Sequence, residues 1–461
     1  MIAAATQPGT TDRELVPRSN GDTTVAKGHI GRIVVGSLVG GLIAAVLLIT
    51  VVFVGAPEHI ITGVALLAFA GGWAALAELS ARRTDQPQRW ARVPAAVMAA
   101  AGFLILLVAP TGNQAGWIWP PAIAALAAWM AVQARHSLHS HARAWVLYPV
   151  FAALLLSAVG GAYETYREAN DQTVGAVPGR LVDVGGYKLH INCTGTGGPT
   201  VVLEPGLGEV SPMMSAWIAP DVASTTRVCV YDRAGRGWSQ SSGAPQNAEQ
   251  VATDLHTLLR NAGETGPFVL AGHSAGGIYV LNFVKLFPND VAGAVLLDSM
   301  SPQQYQRIPS WQGFYEAFRR ASSVMPTLAR LGVGRVVYDS QFGDLPQPQR
   351  DQERAFVATP RHNRSVRDEF SQIRTSLNQA AEIQTLGSLP LEVLTAGHQD
   401  YDQWFPLQDE LLSLSSNSVH RTIADATHDM LLADRDTARK SSDAILDVVT
   451  AVRTGSPVKG G

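Results

Sequence analysis

Cysteine is almost absent from this chain: there are two, Cys193 and Cys229, in 461 residues. So few exclude a small disulfide-stapled scaffold and a thiolate zinc module, and no metal site is expected. Charge is scarce too, at 16% of residues with a net charge of −3. No basic stripe is present, and without clustered Lys and Arg to neutralise phosphates no nucleic acid partner is expected. Acidic residues are missing from the interior of the long apolar runs, Glu78 standing near the end of one. That excludes an ion or proton pathway, which needs intramembrane charge.

What the chain has in excess is apolar residue, 46% of the total, most of it before residue 165. The length calls for two regions. Residues 1–30 mix Thr, Pro, Gly, Asp and Arg without apolar periodicity and are expected to be a disordered tail. Within 31–164, five apolar stretches follow, at about 33–54, 60–77, 93–109, 117–132 and 144–162, each near the length that crosses a bilayer. The first exceeds the core of a cleavable signal peptide, so a retained span is expected. Gly36 and Gly40, with Gly41 beside them, would let another helix approach closely. Trp117, Trp119 and Trp129 suit either a membrane interface or packing within a bundle.

Arginine sets the expected orientation. Arg82, Arg83, Arg89 and Arg92 follow the second stretch and Arg135 and Arg143 the fourth, whereas connections 56–59 and 110–116 have no Lys or Arg. The arginine loops belong in the cytoplasm, and an odd number of spans then exports everything after Tyr163. His136, His139 and His141 lie in one of those loops with no Cys or carboxylate partner, so a solvated loop is expected there rather than a metal site.

After a linker at 165–179 the pattern changes to short strands alternating with helices, the mark of an α/β domain with a mainly parallel sheet. Strands are expected at 181–184 and 187–193, joined by Gly185-Gly186, and at 200–203, 227–231, 268–271, 295–297, 391–394 and 419–423. A helix at 444–452 closes the domain. The most informative stretch begins at Phe268. An apolar strand there runs directly into Gly272-His273-Ser274-Ala275-Gly276, and helical spacing through Ile278, Leu281 and Val284 follows until Pro288. A strand that feeds a helix without a loop forces a tight corner, which exposes its apex hydroxyl and demands small flanking residues.

The order of elements, this Gly-x-Ser-x-Gly corner and Asp232-Arg-Ala-Gly235-Arg-Gly237-Trp-Ser239 after the fourth strand together resemble the α/β-hydrolase superfamily. The resemblance covers about 180–452 and is nearest to the esterase, lipase and proline-iminopeptidase-like branch. It implies an eight-stranded, mainly parallel sheet preceded here by an all-α membrane bundle. It implies Ser274 as nucleophile, His428 of Ala426-Thr-His-Asp as base, and Asp400 of Gly397-His-Gln-Asp as the acid, with Asp298 after the sixth strand as the alternative. A serine hydroxyl is a weak nucleophile and needs such partners. The oxyanion would meet the N–H groups of Ala275 and Leu207, although Pro205-Gly206 stands where the family usually has His-Gly. The second and fourth strands are neighbours in this superfamily, which would set Cys193 beside Cys229 as a possible disulfide on the exported side.

The same resemblance places a lid at about 301–386, within a domain ending near 454 and followed by a short tail at 455–461. Tyr305, Trp311, Phe314, Tyr315 and Phe318 make the insertion rich in large apolar groups, which would either pack it on the core or wall a lipophilic pocket. The expected function is a membrane-anchored serine hydrolase, without metal or organic cofactor, acting on a lipophilic ester more readily than an amide. Its partners would be that small molecule and the lipid bilayer. Ser274 rules against the aspartate-nucleophile relatives. The alternatives are a non-catalytic ligand binder or sensor on the same scaffold and, behind it, a transporter carrying a hydrolase appendage.

Overall fold

The computed structural model describes residues 29–110, 114–138, 147–171, 175–399 and 401–459. Residues 1–28 of the expected tail, the loop that carries His139, His141 and Arg143, and Asp400 lie outside them, while Ile30, the last residue of that tail, already begins a helix.

The N-terminal region is a helical bundle. Helix α1 (Ile30–Leu47) continues as a π-helical segment to Val52, and α2 (Glu58–Arg83), α3 (Arg92–Val108), α4 (Trp119–Ser137) and α5 (Tyr148–Asn170) follow. Four stretches are long and apolar enough to cross a membrane: Ile30–Val52, Glu58–Arg83, Arg89–Val108 and Ala115–Ser137. Helix α5 is long enough, but its last turns carry Glu164, Arg167 and Glu168 and dilute its apolar character. It still runs the length of the bundle. Leu147 and Phe151 share a core with Ala134 and Leu138 at the arginine-loop end, and Thr165 Oγ1 donates to Gly116 O at the other. Close packing falls on a different glycine from the pair expected. Gly36 and Gly40 face open space, whereas a Cβ at Gly41 would come within 3.1 Å of Gly72 Cα on α2. Trp129 packs edge-on against Trp90, which tilts on Trp73, so these rings serve the bundle interior. Large apolar side chains such as Leu107 (84% exposed) and Leu156 (71%) form its outer surface.

The C-terminal region is an eight-stranded sheet in the order β1-β2-β4-β3-β5-β6-β7-β8. In chain order its elements are β1 (Arg180–Asp183), β2 (Lys188–Thr194), β3 (Val201–Glu204), α6 (Ser211–Ala216), α7 (Ile218–Ala223), β4 (Val228–Tyr231), α8 (Ala248–Asn261), β5 (Phe268–His273), α9 (Gly276–Leu286) and β6 (Val291–Leu297). A helical insertion follows: α10 (Gln304–Arg307), α11 (Pro309–Ser322), α12 (Met325–Arg330), α13 (Val333–Tyr338), α14 (Gln349–Val357) and α15 (Pro360–Ala381). Then come β7 (Leu391–Ala396), α16 (Trp404–Leu412), β8 (Ser418–Ile423), α17 (Met430–Ala433) and α18 (Arg435–Thr454).

Strand β2 runs antiparallel to both of its neighbours, β1 and β4, and all the other pairings are parallel. Strands β3, β4, β5 and β7 are buried along their whole length, because helices cover both faces, and they are mostly apolar, broken only by buried Glu204, His273, Glu392 and Thr395. Capping places the helix starts. Asn247 accepts from Gln250 N before α8, Thr359 from His362 N before α15, and Asp434 from Thr437 N before α18. The closing helix therefore begins at Arg435, earlier than apolar spacing alone indicates. Cys193 and Cys229 are register partners across β2 and β4, Cα atoms 4.0 Å apart, and form a disulfide.

The insertion sits on the bundle. Glu58 at the start of α2 pairs with Arg330 and with Arg364, each at 2.8 Å. Glu164 pairs with Arg335 at 2.7 Å, Thr62 meets Thr327 at 3.0 Å, and Gly55 N donates to Ser323 Oγ at 2.8 Å. All these contacts lie at the end away from Arg82, Arg83, Arg89 and Arg92. The insertion's aromatics pack chiefly on one another and on the core: Trp311 and Tyr315 are buried, and the rings of Tyr315 and Phe318 lie 5.2 and 4.5 Å from Phe370. Phe314 is half exposed.

Candidate active site

The corner after β5 is built by sterics. Ser274 stands at φ +55°, a left-handed conformation that costs a non-glycine residue about 1–3 kcal/mol. Its N–H donates to Leu297 O at 3.0 Å, and its carbonyl accepts from Gly277 N at 3.2 Å and Met300 N at 3.0 Å. The apex is thus tied to the end of β6. A Cβ on Gly276 would come within 2.4 Å of Glu204 O, and one on Gly272 within 2.5 Å of Gly276 C. Neither position can carry a side chain without moving backbone, so strand, corner and helix pack at glycine distance.

The carboxylate on His428 belongs to Asp298. Asp298 Oδ2 lies 2.6 Å from His428 Nδ1, in the loop after β8. Asp298 Oδ1 accepts from Trp404 Nε1 at 2.8 Å, Gln399 Nε2 at 2.9 Å and Ala396 N at 3.2 Å. Burial alone would raise its pKa, but the bond and charge of His428 with the Trp404 and Gln399 donors outweigh it, and the net shift is downward. A carboxylate so held is ionised at neutral pH and fixes the imidazole by its Nδ1 side, which turns Nε2 outward. The contact with His428 is made by Asp298, the alternative acid of the sequence reading; Asp400, the first choice, lies outside the described residues. Asp298 is itself at φ +43°, which turns its side chain off the end of β6 towards the loop. Ser274 Oγ has no hydrogen-bond partner among the described residues. The His428 ring lies 4.4 Å from the ring of His273, the residue before Ser274, and His273 Nε2 lies 3.2 Å from His428 O.

Two backbone amides near Ser274 are unused. Neither Leu207 N nor Ala275 N donates to another group among the described residues. The loop of Leu207 comes close to the serine, since a Cβ on Gly206 would lie 3.1 Å from Ser274 Cβ. Backbone N–H groups without an acceptor next to a nucleophile are what an oxyanion site requires.

The sequence pattern did not single out the charged groups beneath this loop. Glu209 Oε1 lies 2.6 Å from His273 Nδ1, and the other carboxylate oxygen accepts the Gly206 N–H. Both nitrogens of His273 face acceptors, Glu209 and His428 O, a pattern only the doubly protonated ring satisfies. Burial by itself would lower the His273 pKa, but the Glu209 charge raises it on balance; burial would raise that of Glu209, which His273 and the Gly206 N–H bring down. The visible signal was an ionisable residue within an otherwise apolar strand. Asp232 proves structural: it accepts from Ser211 N at 2.7 Å and lies 2.7 Å from His190 Nδ1, and a Cβ on Gly237 would collide with its carboxylate.

One group among the described residues has metal-ligand proximity, Cys193, Cys229 and Glu264. Its sulfurs are joined to each other, and Arg227 binds both Glu264 oxygens at 2.8 Å, so no thiolate is left for an ion. A cleft of about 430 Å³ lined by His256, Arg260, Phe268 and Asp290 opens at the start of β5, the opposite end of that strand from Ser274. It contributes nothing to the serine site.

A family model described as the alpha/beta hydrolase fold matches residues 199–332. An uncharacterised protein of Schizosaccharomyces pombe is 26% identical over 298 residues, 56% of this chain and 54% of that protein. The 2-hydroxy-6-oxo-2,4-heptadienoate hydrolase of Pseudomonas putida is 32% identical over 133 residues, 28% of this chain and 46% of that enzyme. The chain thus spans about half the length, or less, of these relatives. Among solved structures, the Cif epoxide hydrolase of Acinetobacter nosocomialis superposes with a TM-score of 0.51 at 17% identity, covering 63% of this chain and 96% of that one. Sheet order, family model and solved neighbour agree on an alpha/beta hydrolase fold.

Proposed function

We propose that this alpha/beta hydrolase is a membrane-anchored serine hydrolase that cleaves an ester, and less readily an amide, through an acyl-enzyme. The observation that carries the proposal is the 2.6 Å contact of Asp298 with His428 beside a serine held at φ +55°. Ser274 Oγ adds to the substrate carbonyl while His428 Nε2 takes its proton. The oxygen that becomes negative is received by Leu207 N–H and Ala275 N–H. Collapse expels the alcohol, which takes the proton from His428, and leaves the acyl group on Ser274. Water then repeats the cycle, giving up a proton to His428 and releasing the acid. Asp298 holds the ring in place and stabilises its charged form. The serine at 274 argues against epoxide or haloalkane chemistry, which would need a carboxylate nucleophile there.

The insertion acts as a lid, and the bundle holds it at the bilayer. The catalytic region lies on the extracytoplasmic side. That orientation is supported by the arginines gathered at the end of the bundle away from the insertion, and by α5 running from that end to Glu164 as a fifth crossing. A reporter fused after the last residue that is active only when exported tests it, and a cytoplasmic readout overturns it. A lipophilic ester from the adjacent membrane is the expected substrate.

Labelling membranes with a fluorophosphonate tests the chemistry. The parent should take the label and Ser274→Ala should not. A folded parent that stays unlabelled favours a non-catalytic ligand binder, the reading suggested by a Ser274 hydroxyl without a hydrogen-bond partner, although such bonds often tighten only with substrate bound.

A further inference from the structure

The loop that carries Leu207 is gripped from two sides by groups outside the set of Ser274, His428 and Asp298. On one side the Glu209 carboxylate accepts the Gly206 N–H. On the other, Arg233 donates Nη1 to Pro205 O and Nη2 to Gly206 O, each at 2.5 Å. The grip is itself braced. Glu209 is paired with His273 at 2.6 Å, and Arg233 with Glu204 at 2.8 Å and Glu369 of α15 at 2.9 Å. Arg233 also lies over the Tyr279 ring, 4.8 Å from its centre, and is almost fully buried.

Peptide planarity turns these contacts into a statement about direction. The Pro205 carbonyl and the Gly206 N–H belong to one plane, and the Gly206 carbonyl and the Leu207 N–H to the next. In a trans peptide the C=O and N–H point opposite ways. Arg233 and Glu209 hold the first plane at both of its ends. Arg233 holds the carbonyl of the second, so the Leu207 N–H must point away from Arg233, and it has no acceptor among the described residues. We propose that Glu209 and Arg233 are positioning residues that lock the two peptide planes on either side of Gly206 and so aim the Leu207 N–H at the oxyanion. The pair takes over a task that Pro205-Gly206 alone does not perform. This inference rests on the serine hydrolase reading of the site.

The test uses the full-length protein in detergent, with active sites counted by fluorophosphonate titration, p-nitrophenyl butyrate as substrate and an alkyl trifluoromethyl ketone as mimic of the tetrahedral adduct. Glu209→Ala should lower kcat on the order of 10²-fold with KM nearly unchanged, as for a small displacement of a reacting group. Affinity for the ketone should fall by the same factor, because the lost interaction exists only with the oxyanion. Glu209→Gln still offers an oxygen to the Gly206 N–H and should recover most of kcat. If Glu209→Ala does not fold, Arg233→Lys replaces it, since lysine cannot serve both carbonyls at once, and the same parallel loss is expected. Normal kcat and ketone affinity in variants of lower Tm would mean that the pairs only stabilise the fold, which overturns the inference; so would a loss confined to KM. A parent that takes no label ends the hydrolase reading and this inference with it, whereas a labelled parent with unchanged variants ends this inference alone.

Discussion

Asp298 Oδ2 lies 2.6 Å from His428 Nδ1, and the same carboxylate accepts hydrogen bonds from Trp404 and Gln399. A buried carboxylate with that many donors is committed to its position, and the ring it holds is committed with it.

Asp298→Asn should therefore lower kcat by roughly 10⁴-fold, as expected when the amide fails to hold the imidazole tautomer. Asp400→Asn should stay within a few-fold of the parent. Steady-state kinetics on a chromogenic ester compares them, and the reverse ranking would return the role to Asp400.

The Cys193–Cys229 bond closes a loop of sequence separation 36. Replacing both residues with alanine should cost about 2–4 kcal/mol by releasing that constraint on the unfolded chain. Denaturant unfolding in detergent measures the loss. Both thiols of the unfolded parent should resist alkylation until reductant is added, and immediate alkylation would deny the bond.

Glu58 accepts from Arg330 on both carboxylate oxygens and from Arg364 on Oε2, with only 9% of its side chain exposed. Glu58→Gln removes the negative charge that Arg330 and Arg364 share. The expected cost is about 2 kcal/mol, below that of a fully buried pair because the arginines are partly exposed. Hydrogen exchange should then quicken in 323–335 and not in the sheet. Unchanged protection there would show that apolar contact alone seats the insertion.

The Glu209 and His273 pair sets a pH window for stability. The Glu209 pKa is lowered from 4.5, so its contribution is present above that value and is lost as pH falls through the folded value. The His273 pKa is raised from 6.5, so its contribution is complete below that value and is lost as pH rises through the folded value. The stability gap between the parent and His273→Gln should thus be widest between pH 4.5 and 6.5 and narrow on either side. Thermal unfolding across pH reads it, and a gap that does not vary with pH would rule out the ion pair.

Sequence alone determined the elements whose information is local. The unbroken apolar strand at Phe268, the glycines around Ser274 and the long apolar runs before residue 165 each state their conformation within a dozen residues, because sterics and burial act on neighbours in the chain. The exact ends were less visible: α18 starts at a cap, Asp434, rather than at its first apolar face. Tertiary structure decided what depends on meetings between distant segments. Asp298 and His428 are 130 residues apart, Glu209 and His273 64 apart, and Glu58 and Arg364 306 apart. Whether a given carboxylate meets a given cation depends on strand order and loop path, and neither leaves a periodic trace in sequence. The Gly-x-x-Asp spacing favoured Asp400, and nothing local to Asp298 announced that the end of β6 would carry its carboxylate to the ring of His428.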